Sequence, residues 1–334
     1  MGPHLHDYWP FVPEWLPLNT YGLSIALGFL VGAWMTRRHA RRIGISPDAV
    51  LDVVLAAIVA GLAGARLFYV VQFYGVHFRG QPLWRMFAIH QGGLVFYGGL
   101  LGALPVCLWF IKRRGLPLGA SLDVLAPAVM IGLAFGRIGC FSFGCCYGVP
   151  TEGAYGVTFP PDAPAYAHTA PGPDAPPRMG CRHGVVFPPD APPYYNPEIP
   201  PGTPLFPSQL LSSAATFALS LLLSLHFIFV RSREGETAAL LLVLYPMIRF
   251  IIESLRFDTR VPAGLSVAQW ISLFVAAAGV AWLVRLYRRP PTAARPAPAG
   301  AAPEEPAREG ERKPLPPPKK RRKKKRGKQE RPPA

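Results

Sequence analysis

Seven apolar stretches, each close to the length needed to cross a lipid bilayer, constrain the fold of this 334-residue chain more than any other feature. A bilayer core about 30 Å thick needs about 20 residues of α-helix at about 1.5 Å per residue. Hydrocarbon offers no partner to an unpaired backbone group, so only helices and closed barrels cross it. The sequence therefore predicts an all-α integral membrane protein with seven transmembrane helices. They are expected at residues 20–36, 50–73, 94–111, 121–140, 208–230, 237–255 and 265–286.

The distribution of Lys and Arg predicts the orientation of these helices. Basic clusters follow the first, third, fifth and seventh stretches, as TRRHARR, KRR, RSR and RLYRR. Because short basic loops stay in the cytoplasm, we expect the N-terminus outside and the C-terminus inside. Arg256 and Arg260 are exceptions, since they fall on a predicted outer loop. The first twelve residues contain neither Lys nor Arg, so we expect no cleavable signal peptide.

Two segments differ in composition from the membrane part, which we place at residues 1–289. Residues 290–334 carry fourteen basic and five acidic residues, and so contribute +9 of the net charge of +16. We expect a disordered cytoplasmic tail that binds anionic lipid headgroups, at about 1 kcal/mol per basic residue, or that only anchors the topology. A nucleic-acid partner is not expected. Residues 149–206 form a Pro-rich outer loop with a local repeat, FPPDAPAY and FPPDAPPY.

Polar residues within the apolar stretches gather toward the outer leaflet. Three of them are Arg66, Arg137 and Arg249, on three different predicted helices. An Arg facing lipid at mid-helix costs about 2.5–3.5 kcal/mol, so we expect a shared polar cavity. Glu253 follows Arg249 by four residues and lies on the same helix face, where an internal ion pair is the alternative to a functional role. Arg66 could instead extend to the outer headgroups.

Other polar and small residues lie at the same outer ends. Guanidinium groups match phosphate oxygens in a bidentate manner, so the pattern favours a phospholipid headgroup as ligand and a lipid-modifying enzyme as function. The glycines at 98, 99 and 102 favour close helix packing. The residues that we expect near the cavity for their position are Tyr21, Gln91, Gly92, Gly93, Ser208 and Gln209.

Six dispersed motifs carry a resemblance to a known family. They are TYGLSIALGF at 20–29, GARLFYV at 64–70, QGGLVFYGGLLG at 91–102, GRIG at 136–139, PSQL at 207–210 and YPMIRFIIESLR at 245–256. In this order they resemble the prolipoprotein diacylglyceryl transferases of the bacterial inner membrane. The resemblance implies transfer of a diacylglyceryl group from phosphatidylglycerol to the lipobox cysteine of a prolipoprotein, without cofactor or metal, at a site that faces the periplasm.

The resemblance also implies roles for individual residues. Arg137 and Arg249 would hold the lipid phosphate and stabilise the departing glycerol phosphate, with Glu253 and Tyr21 as further catalytic candidates. The nucleophile would be the substrate's thiol. Gly148 and Tyr245 also match positions that the family uses. The full set of substrate-binding candidates is Arg66, Gly92, Gly93, Tyr97, Arg137, Cys140, Cys145, Gly148, Ser208, Gln209, Tyr245 and Arg249.

The chain departs from the family pattern at the sequence GRIGCFSFGCCYG, residues 136–148. The family reads G-R-x-G-N-F-x-N-G-E-x-x-G, so Cys140 and Phe143 replace Asn, and Cys145 replaces Glu. Tyr97 occupies the usual position of a His. Neither Tyr nor Cys is a good proton acceptor at neutral pH. Glu253 could then serve as the base. Alternatively, Cys140 or Cys145 could act as a thiolate beside Arg137, or the chain could bind lipid or protein without catalysis.

Four of the five cysteines lie on the outer side, where disulfides persist. A disulfide from Cys181 to Cys145 or Cys146 is one expectation, and unreactive thiols are another. Four metal ligands from Cys145, Cys146, Cys181 and His183 would have a spacing that is not typical of zinc sites, so we predict no metal. Cys107, on the inner side, is expected to be buried and inert.

Overall fold

The computed structural model describes residues 20–89, 93–159, 180–182, 185–187, 202–256 and 264–290. In this part of the chain the predicted apolar stretches are confirmed as seven α-helices. The predicted tail lies almost entirely outside the described residues, as does most of the loop at 149–206. The helices are α1 (Thr20–Arg42), α2 (Pro47–Phe73), α3 (Phe96–Arg113), α4 (Leu118–Phe143), α5 (Ser208–Leu225), α6 (Glu236–Glu253) and α7 (Val267–Tyr287).

Local sequence signals explain several helix ends. The Ser46 side chain accepts a hydrogen bond from the Ala49 amide before α2, and Pro47 occupies the first helical turn, where its missing N–H costs nothing. Ser266 and Gln269 form a reciprocal capping box at the start of α7. α4 ends at Gly144, whose φ of 72° places it in the left-handed region. A single π-helical turn, His226–Val230, extends α5.

The outer surface of the helices is apolar, as a bilayer requires. Four helical segments of the described chain are long and apolar enough to cross a membrane: Pro47–Phe73, Leu118–Phe143, Ser208–Val230 and Val267–Tyr287. Large apolar side chains stand exposed along them, for example Val59 at 69% and Phe274 at 70%. In water such surface would be costly, whereas hydrocarbon is as apolar as the side chains themselves. The structure therefore supports an integral membrane protein.

Small residues allow the helices to pack closely. On α2, a methyl group added to Gly64 would lie 2.5 Å from the Gly98 carbonyl oxygen on α3, so the backbones of the two helices are nearly in contact. Gly102 approaches the backbone of α2 in the same way. α1 and α4 meet similarly at Gly28. The prediction that Gly98, Gly99 and Gly102 serve packing is confirmed.

Hydroxyl groups of α5 fix its position against α4. Ser213 Oγ donates to the Ala134 carbonyl at 2.9 Å, and Ser220 Oγ donates to the Pro127 carbonyl at 2.8 Å. Both serines are buried. Hydrogen bonds between a helix hydroxyl and a neighbouring helix backbone are typical of membrane bundles. α4 thus lies between α1 and α5, and it also contacts α6.

A small antiparallel sheet adds to the all-α architecture that the sequence predicts. Its strands are β1 (Leu94–Val95), β2 (Gly180–Arg182) and β3 (Val185–Phe187), with β3 in the middle. Leu94 pairs with Val186, so the long loop after α4 returns to the segment that precedes α3. Strands of two or three residues leave no periodic pattern in a sequence, which is why this sheet was not predicted.

A buried carboxylate near the start of α4 connects this helix to the start of α6. Asp123 of α4 is fully buried and accepts hydrogen bonds from the Gly235 and Ala238 amides, at 2.7 Å and 2.9 Å. Its Oδ2 also lies 3.3 Å from Nε of the buried Arg231. The first amides of a helix lack partners within the helix, and here a side chain of another helix satisfies them. Asp123 was not among the residues predicted from the sequence to have a role.

Candidate functional site

Arg137 of α4 and Arg249 of α6 line the same cavity. The empty space among its lining side chains, counted together with the part that is open to the surroundings, is about 280 Å³. α5 contributes two hydroxyl groups, and apolar side chains complete the wall. A polar cavity inside an apolar bundle is the arrangement that the three arginines of the sequence predict, but the structure places only two of them in it. The lining residues are Leu133, Arg137, Ser212, Thr216, Tyr245, Ile248, Arg249 and Ile252.

Glu253 holds Arg249 in place. Its Oε2 lies 2.8 Å from Arg249 Nη2 and 3.6 Å from Arg256 Nη1, and its Oε1 accepts a hydrogen bond of 3.3 Å from Ser266 Oγ. The carboxylate is 3% exposed. From the sequence, Arg249 and Glu253 were expected either to form an internal ion pair or to have a functional role. The structure shows both the ion pair and a cavity beside it, so the two interpretations are compatible. With two arginines and a hydroxyl around it, this carboxylate is better placed to position Arg249 than to accept a proton.

The turn after α4 is fixed by two buried polar side chains. Ser208 Oγ donates to the Cys146 carbonyl at 3.1 Å, and Gln209 Nε2 donates to the Cys145 carbonyl at 2.8 Å. Both side chains are 1% exposed. Ser208 and Gln209 were predicted to bind substrate, but the contacts observed here are with the backbone of the turn, and neither residue lines the cavity. Cys146 has a φ of 61°, in a region that a non-Gly residue adopts only at a cost.

Three cysteines come together at this turn. The sulfur atoms of Cys140, Cys145 and Cys146 all lie within 4.8 Å of one another. The Arg137 guanidinium is close enough to interact electrostatically with each of them. Such a group of sulfur atoms can hold a metal ion, which the spacing in the sequence did not indicate. The Cys181 side chain and His183 lie outside the described residues.

Gly148 and Tyr21 lie near the end of α4 and make packing contacts there. Gly148 pairs with Arg256 in an isolated β-bridge, and a methyl group on it would lie 2.7 Å from the Phe206 carbonyl oxygen. Only Gly allows the backbones to approach so closely. The Tyr21 ring at the start of α1 packs on the end of α4, with its centroid 6.2 Å from that of Phe143.

Arg66 lies elsewhere, engaged with backbone carbonyls. Its Nε donates to Met86 at 2.7 Å, Nη2 to Arg85 at 2.5 Å and Nη1 to Gly93 at 3.1 Å. These bonds hold the segment between α2 and α3. The side chain therefore does not extend into the cavity of Arg137.

Two further candidates also stand apart from the cavity. Tyr97 is 39% exposed, and its ring contacts that of Phe96. Gly93 adopts a φ of 69° beside Arg66 and Tyr69. Gln91 and Gly92 lie outside the described residues.

Ser212 and Thr216 line the cavity but were not among the site residues predicted from the sequence. They are four residues apart and follow Ser208 at the same interval, so a stripe of hydroxyl groups runs along one face of α5. This interval of four in an otherwise apolar helix was a usable signal. Ile248 and Ile252 share the face of Tyr245 and Arg249, but apolar residues in a membrane helix carry no signal of a cavity.

Comparisons with known proteins agree on one family. A sequence profile described as prolipoprotein diacylglyceryl transferase matches residues 11–285. A protein of Gloeobacter violaceus named phosphatidylglycerol–prolipoprotein diacylglyceryl transferase is 32% identical over 287 residues, which cover 85% of this chain and 93% of that protein. A protein of Clostridium perfringens (strain 13 / Type A), with the same name and the number 2, is 28% identical over 267 residues, covering 79% and 90%. A namesake in Rhodopirellula baltica is 37% identical over 159 residues, 46% of this chain.

Proposed function

Because the chain belongs to the prolipoprotein diacylglyceryl transferase family, we propose that it transfers the diacylglyceryl group of phosphatidylglycerol to the lipobox cysteine of prolipoproteins. The observation that carries this proposal is the cavity in which Arg137 and Arg249 meet. Both are on helices of an integral membrane protein of the bacterial inner membrane. A lipid phosphate is the anion that such a cavity can receive from the bilayer itself.

The charges of the cavity favour an anionic ligand. Arg137, Arg249 and Arg256 carry three positive charges, and Glu253 carries one negative charge, so the group has a net charge of +2. A phosphodiester contributes −1, and its two free oxygens match the planar fork of a guanidinium group. Low dielectric surroundings strengthen these interactions. We assign phosphate binding to Arg137 and Arg249, with Tyr245, Ser212 and Thr216 at the cavity wall.

The transfer itself is a nucleophilic displacement. The acceptor thiol releases its proton to the solvent, its sulfur forms a bond to the terminal glycerol carbon of the diacylglyceryl group, and the bond from that carbon to the phosphate oxygen breaks. Glycerol phosphate leaves with the electron pair, and negative charge develops on the oxygen beside the arginines. Preorganised cations at the developing charge lower the barrier. The same cations favour the thiolate form of the acceptor, whose thiol has a reference pKa near 8.5.

The proposal includes an orientation in the membrane. All seven helices cross the bilayer, with the N-terminus in the periplasm and the C-terminus in the cytoplasm, as the basic clusters after α1, α3, α5 and α7 favour. The cavity then lies in the periplasmic half, where the acceptor cysteine of a translocated prolipoprotein arrives. The basic tail, residues 290–334, faces anionic headgroups of the inner leaflet.

The decisive experiment measures the product in cells. We propose to express the chain in bacteria depleted of their own transferase and to search a reporter lipoprotein for a diacylglyceryl thioether by mass spectrometry. Arg137→Ala and Arg249→Ala should each lower the product by at least about 100-fold, as expected for lost transition-state stabilisation. Arg114→Ala is the matched control, because Arg114 forms an exposed ion pair with Asp52 away from the cavity.

Two results would contradict the proposal, the first its function and the second its site. If the wild-type chain inserts into the membrane in normal amount and still yields no thioether, the transferase function is wrong. If Arg137→Ala and Arg249→Ala retain the product at the level of Arg114→Ala, the cavity is not the active site.

A further inference from the structure

The three cysteines at the end of α4 are grouped by the backbone of the turn. Cys140 lies in the last turn of the helix, and its carbonyl accepts a hydrogen bond of 3.0 Å from the Cys145 amide. Gly144, in the left-handed region, reverses the chain so that Cys145 and Cys146 return to the helix end. Cys140 precedes Cys145 by five residues and Cys146 follows directly, and this spacing in the sequence gives no indication that the three side chains lie close together. The left-handed conformation of Gly144 and Cys146 produces it.

The distances between the sulfur atoms suit one tetrahedral ion. A Zn–S bond is about 2.3 Å, so two thiolates of a tetrahedral site lie about 3.8 Å apart. The three sulfur atoms are all within 4.8 Å of one another. A shift of about 1 Å or less per pair therefore converts the group into a coordination site. Cys140 and Cys145 are buried while Cys146 is partly exposed, which leaves a path for an ion to enter.

Two features hold the ligands in advance of binding. Ser208 and Gln209 fix the Cys146 and Cys145 carbonyls from the start of α5, and both side chains are almost fully buried. Cys146 keeps its strained φ of 61°, a conformation that costs about 1–2 kcal/mol and persists only where the surroundings enforce it. A turn that is fixed in this way loses little entropy when it binds an ion.

The charge of Arg137 favours a metal–thiolate group whose net charge is −1. Among the described residues, no carboxylate forms an ion pair with Arg137, whose guanidinium is close enough to interact electrostatically with the three cysteines. Zn²⁺ with three thiolates has a net charge of −1, which one guanidinium balances. Cu⁺ reaches the same net charge with only two thiolates, which would leave the third sulfur atom of this close group without a bond to the ion. Thiolate ligands also exclude Mg²⁺ and Ca²⁺, which take oxygen ligands.

We propose that Cys140, Cys145 and Cys146 bind one Zn²⁺ ion as three thiolates beside Arg137. Binding releases three thiol protons to the solvent, and the fourth position of the tetrahedron remains open to a water molecule. The ion reduces the charge of the cavity and its surroundings from +2 to +1, and one phosphodiester then brings it to zero. This proposal differs from the expectation that the chain holds no metal, which was based on the spacing of the cysteines in the sequence.

The test measures metal, not transfer, so its outcome is independent of the proposed function. The full chain is purified in detergent under reducing conditions, supplied with a slight excess of Zn²⁺, desalted and analysed by inductively coupled plasma mass spectrometry. We expect about one zinc ion per chain. Cys140→Ser and Cys145→Ser should each lower the zinc content by about tenfold or more. Cys107→Ser should retain it, because Cys107 lies on α3, outside the cluster.

A measurement on the unmodified chain keeps the proposal falsifiable if a variant fails to fold. Alkylation followed by peptide mass spectrometry should show Cys140, Cys145 and Cys146 protected with Zn²⁺ and labelled after chelation. X-ray absorption at the zinc edge should show three sulfur ligands at about 2.3 Å. The proposal is wrong if the reduced chain holds less than about one-tenth of a zinc ion per chain, or if Zn²⁺ leaves the labelling of the three cysteines unchanged.

Discussion

Replacing Glu253 by Gln tests whether this carboxylate positions Arg249 or serves as the base. The change removes the only negative charge within 4.0 Å of Arg249 and Arg256 among the described residues, at a position that is 3% exposed. Removing one partner of a buried ion pair costs about 3–5 kcal/mol, because the remaining charge stays desolvated. At about 2–4 °C per kcal/mol, the melting temperature in detergent should fall by about 6–20 °C.

The matched control is Asp52→Asn. Asp52 pairs with Arg114 at 2.6 Å, but both side chains are nearly half exposed. Exposed pairs contribute about 0.2–1 kcal/mol, so the melting temperature should fall by less than about 4 °C. If Glu253→Gln unfolds at the temperature of the control, the reasoning about a desolvated pair is wrong.

The same variant separates the two chemical roles. If Glu253 positions Arg249, the transfer rate of Glu253→Gln falls but keeps the pH dependence of the unmodified chain, since the titrating groups of the reaction are untouched. If Glu253 is the base, the variant loses the acidic limb of the pH–rate profile. A single-turnover assay across pH, with a synthetic lipobox peptide and phosphatidylglycerol in vesicles, measures the difference. Loss of that limb would refute the positioning role.

Three further predictions concern the fold and the tail. Asp123→Ala leaves the Gly235 and Ala238 amides without their acceptor and should cost about 3–5 kcal/mol in thermal unfolding, far more than a change at an exposed carboxylate. Gly64→Ala should destabilise the α2–α3 contact by about 1–3 kcal/mol, whereas Gly132→Ala, where a methyl group meets nothing within 4 Å, should be neutral or stabilising in the same melting assay. Trypsin should cleave the tail, residues 290–334, more slowly in vesicles with anionic lipids than in zwitterionic ones, and high salt should remove the difference. Equal cleavage rates in the two lipids would refute headgroup binding.

The helices could be predicted because their signal is long and repeated. Each apolar stretch spans many residues, and a bilayer allows few other structures. The shared cavity of Arg137 and Arg249 could be predicted for the same energetic reason, since a charge in an apolar helix must find polar surroundings. The physical constraint in both cases acts on residue type and not on exact geometry.

The contacts that depend on exact geometry could not be predicted. Arg66 carries the same charge as Arg137, yet its donors meet three backbone carbonyls, and carbonyl positions leave no trace in a sequence. Ser208 and Gln209 likewise contact the backbone of a turn. The group formed by Cys140, Cys145 and Cys146 depends on two left-handed residues, of which only Gly144 is recognisable from its type.

Arg256 shows how the site accounts for a feature that the orientation rule leaves unexplained. A basic residue on a predicted outer loop opposes the usual bias of Lys and Arg toward the cytoplasm. In the structure Arg256 is partly buried, and its Nη1 lies 3.6 Å from the Glu253 carboxylate that also holds Arg249. Its backbone pairs with Gly148, directly after the cysteine turn. The contact with Glu253 thus accounts for the position of this charge, so Arg256 does not by itself argue for the opposite orientation.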